Sequence, residues 1–141
     1  MTKLMNRKSL LAKEELQIVE VKLGKDESVY VKQMTGRERD IFEQSLVKEN
    51  KNEKDEITYD RSITDFRAKL AVMCICDQTG EKLLEPSDYE TLSQNMSAAR
   101  LEKIVNEAQK INKISEEDKE NLVKNSVGVQ DADSNSASVE N

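Results

Sequence analysis

FRAKLAVMCICDQTGEKLLEPSDYETLSQNMSAARLEKIVNEAQKINKISEEDKENLVKN, running from Phe66 to Asn125, is the stretch that decides the fold. Phe66, Leu70, Met73 and Cys74 follow helical spacing, together with Ile63 just upstream. Ala68, Ala71, Val72 and Ile75 fill the other faces. A helix that is apolar nearly all round belongs at the centre of a core, and Thr64 is placed to cap it. Asp77-Gln78-Thr79-Gly80 ends it, with Gly80 free to take a positive φ. Lys82-Leu83-Leu84 reads as a brief extended segment. Ser87 and Glu90 have the spacing of a capping box and open a short helix carrying Tyr89, Leu92 and Met96. Ser97 opens the next helix, where Leu101, Ile104, Val105, Ala108 and Ile111 form one stripe. Ser115 opens the last, its first turn acidic through Glu116, Glu117 and Asp118, which suits the helix dipole. That helix carries Leu122 and Val123 and stops near Asn125.

Working outward, Leu16 to Leu23 and Ser28 to Gln33 both alternate apolar and polar residues around Gly24-Lys25-Asp26. Two such runs about a turn predict a β-hairpin. A lone hairpin is barely stable, so its apolar face must lie on helices. Thr35 and Glu38 form another capping box, before a helix whose apolar edge is Ile41, Phe42, Leu46 and Val47. Lys51 to Asp60 (KNEKDEITYD) is charged and turn-rich and reads as a long mobile loop. Ser9 to Glu15 reads as a helical turn. The fold class is therefore α+β and mostly helical: an N-terminal β-hairpin packed on a small bundle of about four to five helices. Residues 1–15 form an extension, 16–125 a single domain, and 126–141 a disordered acidic tail without periodicity.

Composition bounds what the chain does. At 141 residues it holds one modest core. Charged residues are 35 % and aromatics 4 %, with no Trp, so that core is thin and aliphatic. The net charge is −6, and neither the acidic tail nor the remainder offers the clustered positive face that nucleic acid needs; Lys103, Lys110 and Lys113 make only a local basic stripe. No stretch is long and apolar enough to span a membrane, and Leu10-Leu11-Ala12 is too short for the core of a signal peptide. Cys74 and Cys76, two apart in an apolar run, point to different faces if helical and suit a reducing cytosol.

The chain contains no His, which removes the commonest general base and metal ligand. Cys74 and Cys76 read as core-filling thiols rather than nucleophiles, because their neighbours supply no electropositive, exposed setting. Asp77, Glu81, Glu85 and Asp88 cluster near the central turn. Counting from Asp77, however, Gly80 falls at the fourth position where an EF-hand loop needs glycine at the sixth. These observations leave catalytic, cofactor and metal sites without candidates. The stripe Leu101, Ile104, Val105 and Ile111 fits either the inner face of a packed helix or a surface for a partner. Leu122 and Val123 either cap the core or reach a partner. Those six residues are the candidate partner-binding positions.

The order of motifs carries a further signal. Met34-Thr35-Gly36-Arg37-Glu38-Arg39-Asp40 opens a helix after the hairpin, and Phe66-Arg67-Ala68-Lys69-Leu70-Ala71-Val72 follows. Asp77-Gln78-Thr79-Gly80-Glu81-Lys82-Leu83-Leu84 and Pro86-Ser87-Asp88-Tyr89-Glu90-Thr91-Leu92 come next, and Ile114-Ser115-Glu116-Glu117 closes the pattern. Over residues 16–125 this resembles the tail assembly chaperones of long-tailed bacteriophages and prophages. The resemblance implies a non-enzymatic protein of the host bacterial cytoplasm, absent from the finished virion. It implies binding to the tape-measure protein, and to the tail tube protein, during tail assembly; a second copy of the chain is a further candidate partner. The alternative is a tail-completion or head–tail connector protein retained in the virion.

Overall fold

Phe66–Cys74 is the central helix, and seven of its nine residues are buried. The computed structural model describes residues 2–51, 53–61, 65–115, 117–118 and 120–121. In chain order the elements are α1 (Arg7–Leu11), β1 (Ile18–Lys22), β2 (Ser28–Lys32), α2 (Gly36–Gln44), β3 (Val47–Lys51), β4 (Ile57–Arg61), α3 (Phe66–Cys74), β5 (Ile75–Cys76), α4 (Tyr89–Asn95) and α5 (Ala98–Ile111). A 3-10 turn over Pro86–Asp88 leads into α4. The protein is a small α+β fold whose N-terminal hairpin lies on helices, as the alternation at 16–33 predicts.

The hairpin pairs Val19 with Val31 and Val21 with Val29. Val21 and Val31 are buried, and Val19 and Val29 pack against the same core. That face lies on α5, which in turn packs on α3. The period of two thus aims one row of valines inward. On the outer face, Ile18 lies under the turn after β5. A Cβ added at Gly80 would stand 3.2 Å from the Ile18 Cδ1, and Gly80 has φ 93°. Both the close approach and the backbone conformation therefore require glycine. The Asp77 carboxylate braces this turn by accepting from the Thr79 N–H (2.8 Å), the Thr79 hydroxyl (2.6 Å) and the Glu81 N–H (3.1 Å). The Thr79 hydroxyl above all, then the backbone donors, holds its carboxyl below the usual carboxylate range.

The capping box at Thr35 forms as expected. The Glu38 N–H donates to the Thr35 hydroxyl (3.2 Å), and the Thr35 N–H donates to the Glu38 carboxylate (2.9 Å). Phe42 is buried and Ile41 is exposed, and α2 ends at Gln44, so the expected edge positions Leu46 (buried) and Val47 (the first residue of β3) lie past the helix. Phe42 meets Phe66 edge to face at 5.5 Å. Lys69 of α3 donates to the Ser45 carbonyl at the end of α2 (2.9 Å) and lies over the Tyr89 ring. Ser97 caps α5 through the Arg100 N–H (3.2 Å), and Ser115 exchanges bonds with Asp118 at 3.0 Å each way.

Four expectations are corrected. First, the expected loop over 51–60 is largely strand: Lys51 ends β3 and residues 57–60 belong to β4. β3 and β4 pair antiparallel from Val47↔Arg61 to Lys51↔Ile57, about a turn in which Asp55 takes φ 64°. Among the described residues this ribbon is a two-stranded sheet of its own, separate from the first. Second, α3 ends at Cys74, and Ile75-Cys76 becomes a third strand paired to Val31 and Tyr30; two residues are too few to show a period. Third, the short helix at 89–95 is not capped by Ser87. The Asp88 carboxylate instead accepts from the Glu85 N–H (2.8 Å), one turn earlier. Fourth, the N-terminal helical turn spans Arg7–Leu11 rather than 9–15, because Asn6 and Ser9 cap it reciprocally. Ile63, Thr64, Leu122, Val123 and the acidic tail lie outside the described residues.

Asn112, just past α5, stitches three elements together. Its Oδ1 accepts from the Met34 N–H (2.7 Å), at the joint between β2 and α2. Its Nδ2 donates to the Ala108 carbonyl (2.9 Å) and contacts the Cys74 Sγ (3.6 Å). Gln33 Nε2 donates to the Ile111 carbonyl (3.2 Å) beside it.

Candidate functional site

The stripe of α5 is core. Leu101, Ile104, Val105 and Ile111 are all buried within the chain, with Ala108 between them. These four candidate partner-binding residues therefore face α3 and the hairpin, not solvent. The physical reason is that α5 packs on both α3 and the hairpin, so its apolar stripe is covered from two sides by its own chain.

An open, partly apolar surface lies where α4 meets the N-terminal end of α5. Pro86 starts the 3-10 turn, α4 follows, and the chain breaks at Met96 (ψ 141°) before Ser97 restarts it as α5. The two helices diverge from that break and leave an open groove of about 670 Å³. Leu84, Leu92 and Met96 supply its apolar floor, while Asp88, Thr91 and Arg100 stand on its walls. Leu84, Leu92 and Met96 are partly buried and also pack against the core. Ser93 of α4 donates to the Asp65 carboxylate (2.5 Å) at the start of α3, which anchors the far side of α4. Arg100 is held by Glu27 at 3.1 Å through its Nη2, but its Nε has no hydrogen-bond partner among the described residues. Leu92 and Met96 stand out in the sequence at helical spacing; that they face a groove does not, because the break at Met96 sets the angle between α4 and α5.

The thiols do not offer a reactive centre. Burial pushes Cys74 up to about 12, against a smaller opposing effect of the Asn112 hydrogen bond. Burial also raises Cys76. Both side chains are covered and protonated at neutral pH. Among the described residues no three His, Cys, Asp or Glu side chains converge as a metal site would need, and no described helix is long and apolar enough to cross a membrane.

Cys74 carries a testable consequence. Its proton is held to higher pH in the folded chain than in the unfolded one, so the unfolded state alone ionises between pH 9 and about 12. Stability contributed by the buried thiol is complete below pH 9 and is lost as pH rises through that window. The expected loss is about 1.4 kcal/mol for each pH unit above 9. Urea titrations at a series of alkaline pH values measure it, and Cys74→Val should flatten the decline. An equal slope in that variant would remove Cys74 as the cause.

No family model, curated protein or solved structure matches this chain. The groove and its chemistry are therefore the ground for any functional reading, beside the resemblance in motif order.

Proposed function

We propose that this protein is a tail assembly chaperone of a long-tailed bacteriophage or prophage. In this reading it works in the host bacterial cytoplasm and binds the tape-measure protein, and the tail tube protein, during tail assembly. The observation that carries the reading is the α4–α5 groove: an open apolar floor packed on the core, walled by Asp88, Thr91 and Arg100. A surface of this kind recognises an amphipathic helix by its apolar side chains. A tape-measure protein is long and helical with exposed apolar faces, and a chaperone must cover such faces reversibly. The succession of capped elements from Met34 to Glu117 gives the second support.

The test is co-expression with the tape-measure protein of the same phage or prophage, followed by size-exclusion chromatography. That protein should become soluble and co-elute with this one. Thr91→Arg places a long charged side chain on an exposed groove wall and should weaken capture by more than about tenfold. Tape-measure protein that stays insoluble, or that is soluble without help, would count against the proposal. So would finding this chain in purified virions, which is the result expected of a tail-completion or connector protein.

A further inference from the structure

We propose that β1 pairs antiparallel with β1 of a second copy of this chain, joining two three-stranded sheets into one of six strands. The order within the sheet is β1-β2-β5, so β1 lies at an edge. The opposite edge is engaged: the Leu83 N–H donates to the Ile75 carbonyl (3.3 Å), and Cys76 bridges to Lys82. On β1, the Gln17 carbonyl accepts from the Gln33 N–H (3.0 Å), and the Leu23 N–H donates to the Glu27 carbonyl (2.8 Å). Val19 and Val21, in step with those residues, are paired with Val31 and Val29. Backbone groups alternate in direction along an antiparallel strand, so Ile18, Glu20 and Lys22 turn their N–H and C=O groups outward. No strand among the described residues takes them.

An open edge offers backbone groups to any extended chain, so the side chains decide which chain fits. β1 reads Ile18-Val19-Glu20-Val21-Lys22, with opposite charges two residues apart on the outer face, both exposed. A two-fold axis at Val21 sets Glu20 of each copy opposite Lys22 of the other. Those are the hydrogen-bonded pairs, each exchanging both backbone bonds, because both residues point outward. Beneath them Val21 meets its own copy, and Val19 of one chain meets Leu23 of the other. Val21 and Leu23 are buried, whereas Val19 is only partly buried in its own chain. The apolar row of the hairpin thus continues across the axis, and the contact covers Val19.

The charges also fix the register. A slip of two residues one way sets Glu20 against Glu20, and the other way sets Lys22 against Lys22. Like charges directly opposite each other destabilise a strand pair, and opposite charges stabilise it. A slip of one residue breaks the match between the apolar and charged faces. Both side chains are free to pair. The Glu20 Oε2 accepts from the Ser28 hydroxyl (2.8 Å), and neither Glu20 nor Lys22 makes an ion pair among the described residues. The contact is isologous, the same strand on both copies, and closes as a dimer. It uses no residue of the α4–α5 groove and does not rest on the tape-measure reading.

Light scattering after size exclusion, over a dilution series of the full chain, tests this. The expected mass is twice the 16.1 kDa of the monomer. Glu20→Lys and Lys22→Glu each set like charges opposite one another across the axis. Each alone should raise the dimer dissociation constant by more than about tenfold. Both positions are exposed, so the circular dichroism spectra should stay wild type. An equimolar mixture of the two variants should recover the dimer, because an all-basic edge then meets an all-acidic one. The double variant Glu20→Lys/Lys22→Glu should recover it too, since the exchange keeps opposite charges in register. Wild-type protein that is monomeric at every concentration would overturn the proposal. So would single variants that keep the wild-type dissociation constant, or a mixture that stays monomeric.

Discussion

Ile104→Asp should abolish cooperative folding. Ile104 has no exposed surface and lies midway along α5, between α3 and the hairpin. An aspartate there must either lose its charge or bury it without a partner, at a cost of several kcal/mol. A domain of this size holds about 5–15 kcal/mol in total, and a thin aliphatic core places this one toward the low end. The loss of the Ile side chain adds about 2–5 kcal/mol by itself. Far-UV circular dichroism during heating should show no sigmoidal transition, while Lys103→Glu, one residue away and exposed, should melt within about 0.5 kcal/mol of wild type. A normal transition in Ile104→Asp would mean that the α5 stripe is not the core. The same variant is therefore unsuited to mapping a binding surface, since any lost binding would report lost folding.

Asn112→Leu is the second large effect expected. The substitution removes the acceptor of the Met34 N–H and the donors to the Ala108 carbonyl and the Cys74 Sγ. The Met34 N–H is then stranded where β2 gives way to α2. Losing these part-buried bonds should cost about 1–3 kcal/mol, because a donor left partly covered without a partner costs more than the bond it made. Urea denaturation should show a lower midpoint with an unchanged slope. A midpoint equal to wild type would show that the stitch is replaced by water. Asn112→Asp should also destabilise, since an acceptor would then face the Ala108 carbonyl.

How much of this was legible in the sequence depends on which signal each element gives. The hairpin, α2, α3 and α5 were readable because burial on one side or all round leaves a periodic trace, and because Thr35, Ser97 and Ser115 carry local hydrogen bonds set by spacing alone. The β3–β4 ribbon was not readable: the charge-rich run KNEKDEITYD suits a loop as well as a hairpin, because charge says nothing of backbone shape. The third strand at Ile75-Cys76 was hidden for a different reason. An all-apolar run is equally compatible with more helix, and only the open edge of β2 pulls it out.

The candidate site divides the same way. The sequence marked the α5 stripe as the strongest amphipathic face, and periodicity cannot say whether such a face is covered by its own chain or by another. The core claimed it, because α3 and the hairpin had to close against something. Leu92 and Met96 were visible as apolar positions, but the groove they floor exists only because the chain turns at Met96 and sets α4 at an angle to α5. By itself the sequence determined the element types at the capped helices and the hairpin, the thiol character of the core, and the lack of a histidine. Those properties are local or compositional. Which apolar face is spent inside and which is left open was decided only by the tertiary structure, since burial is a competition among faces for one small core.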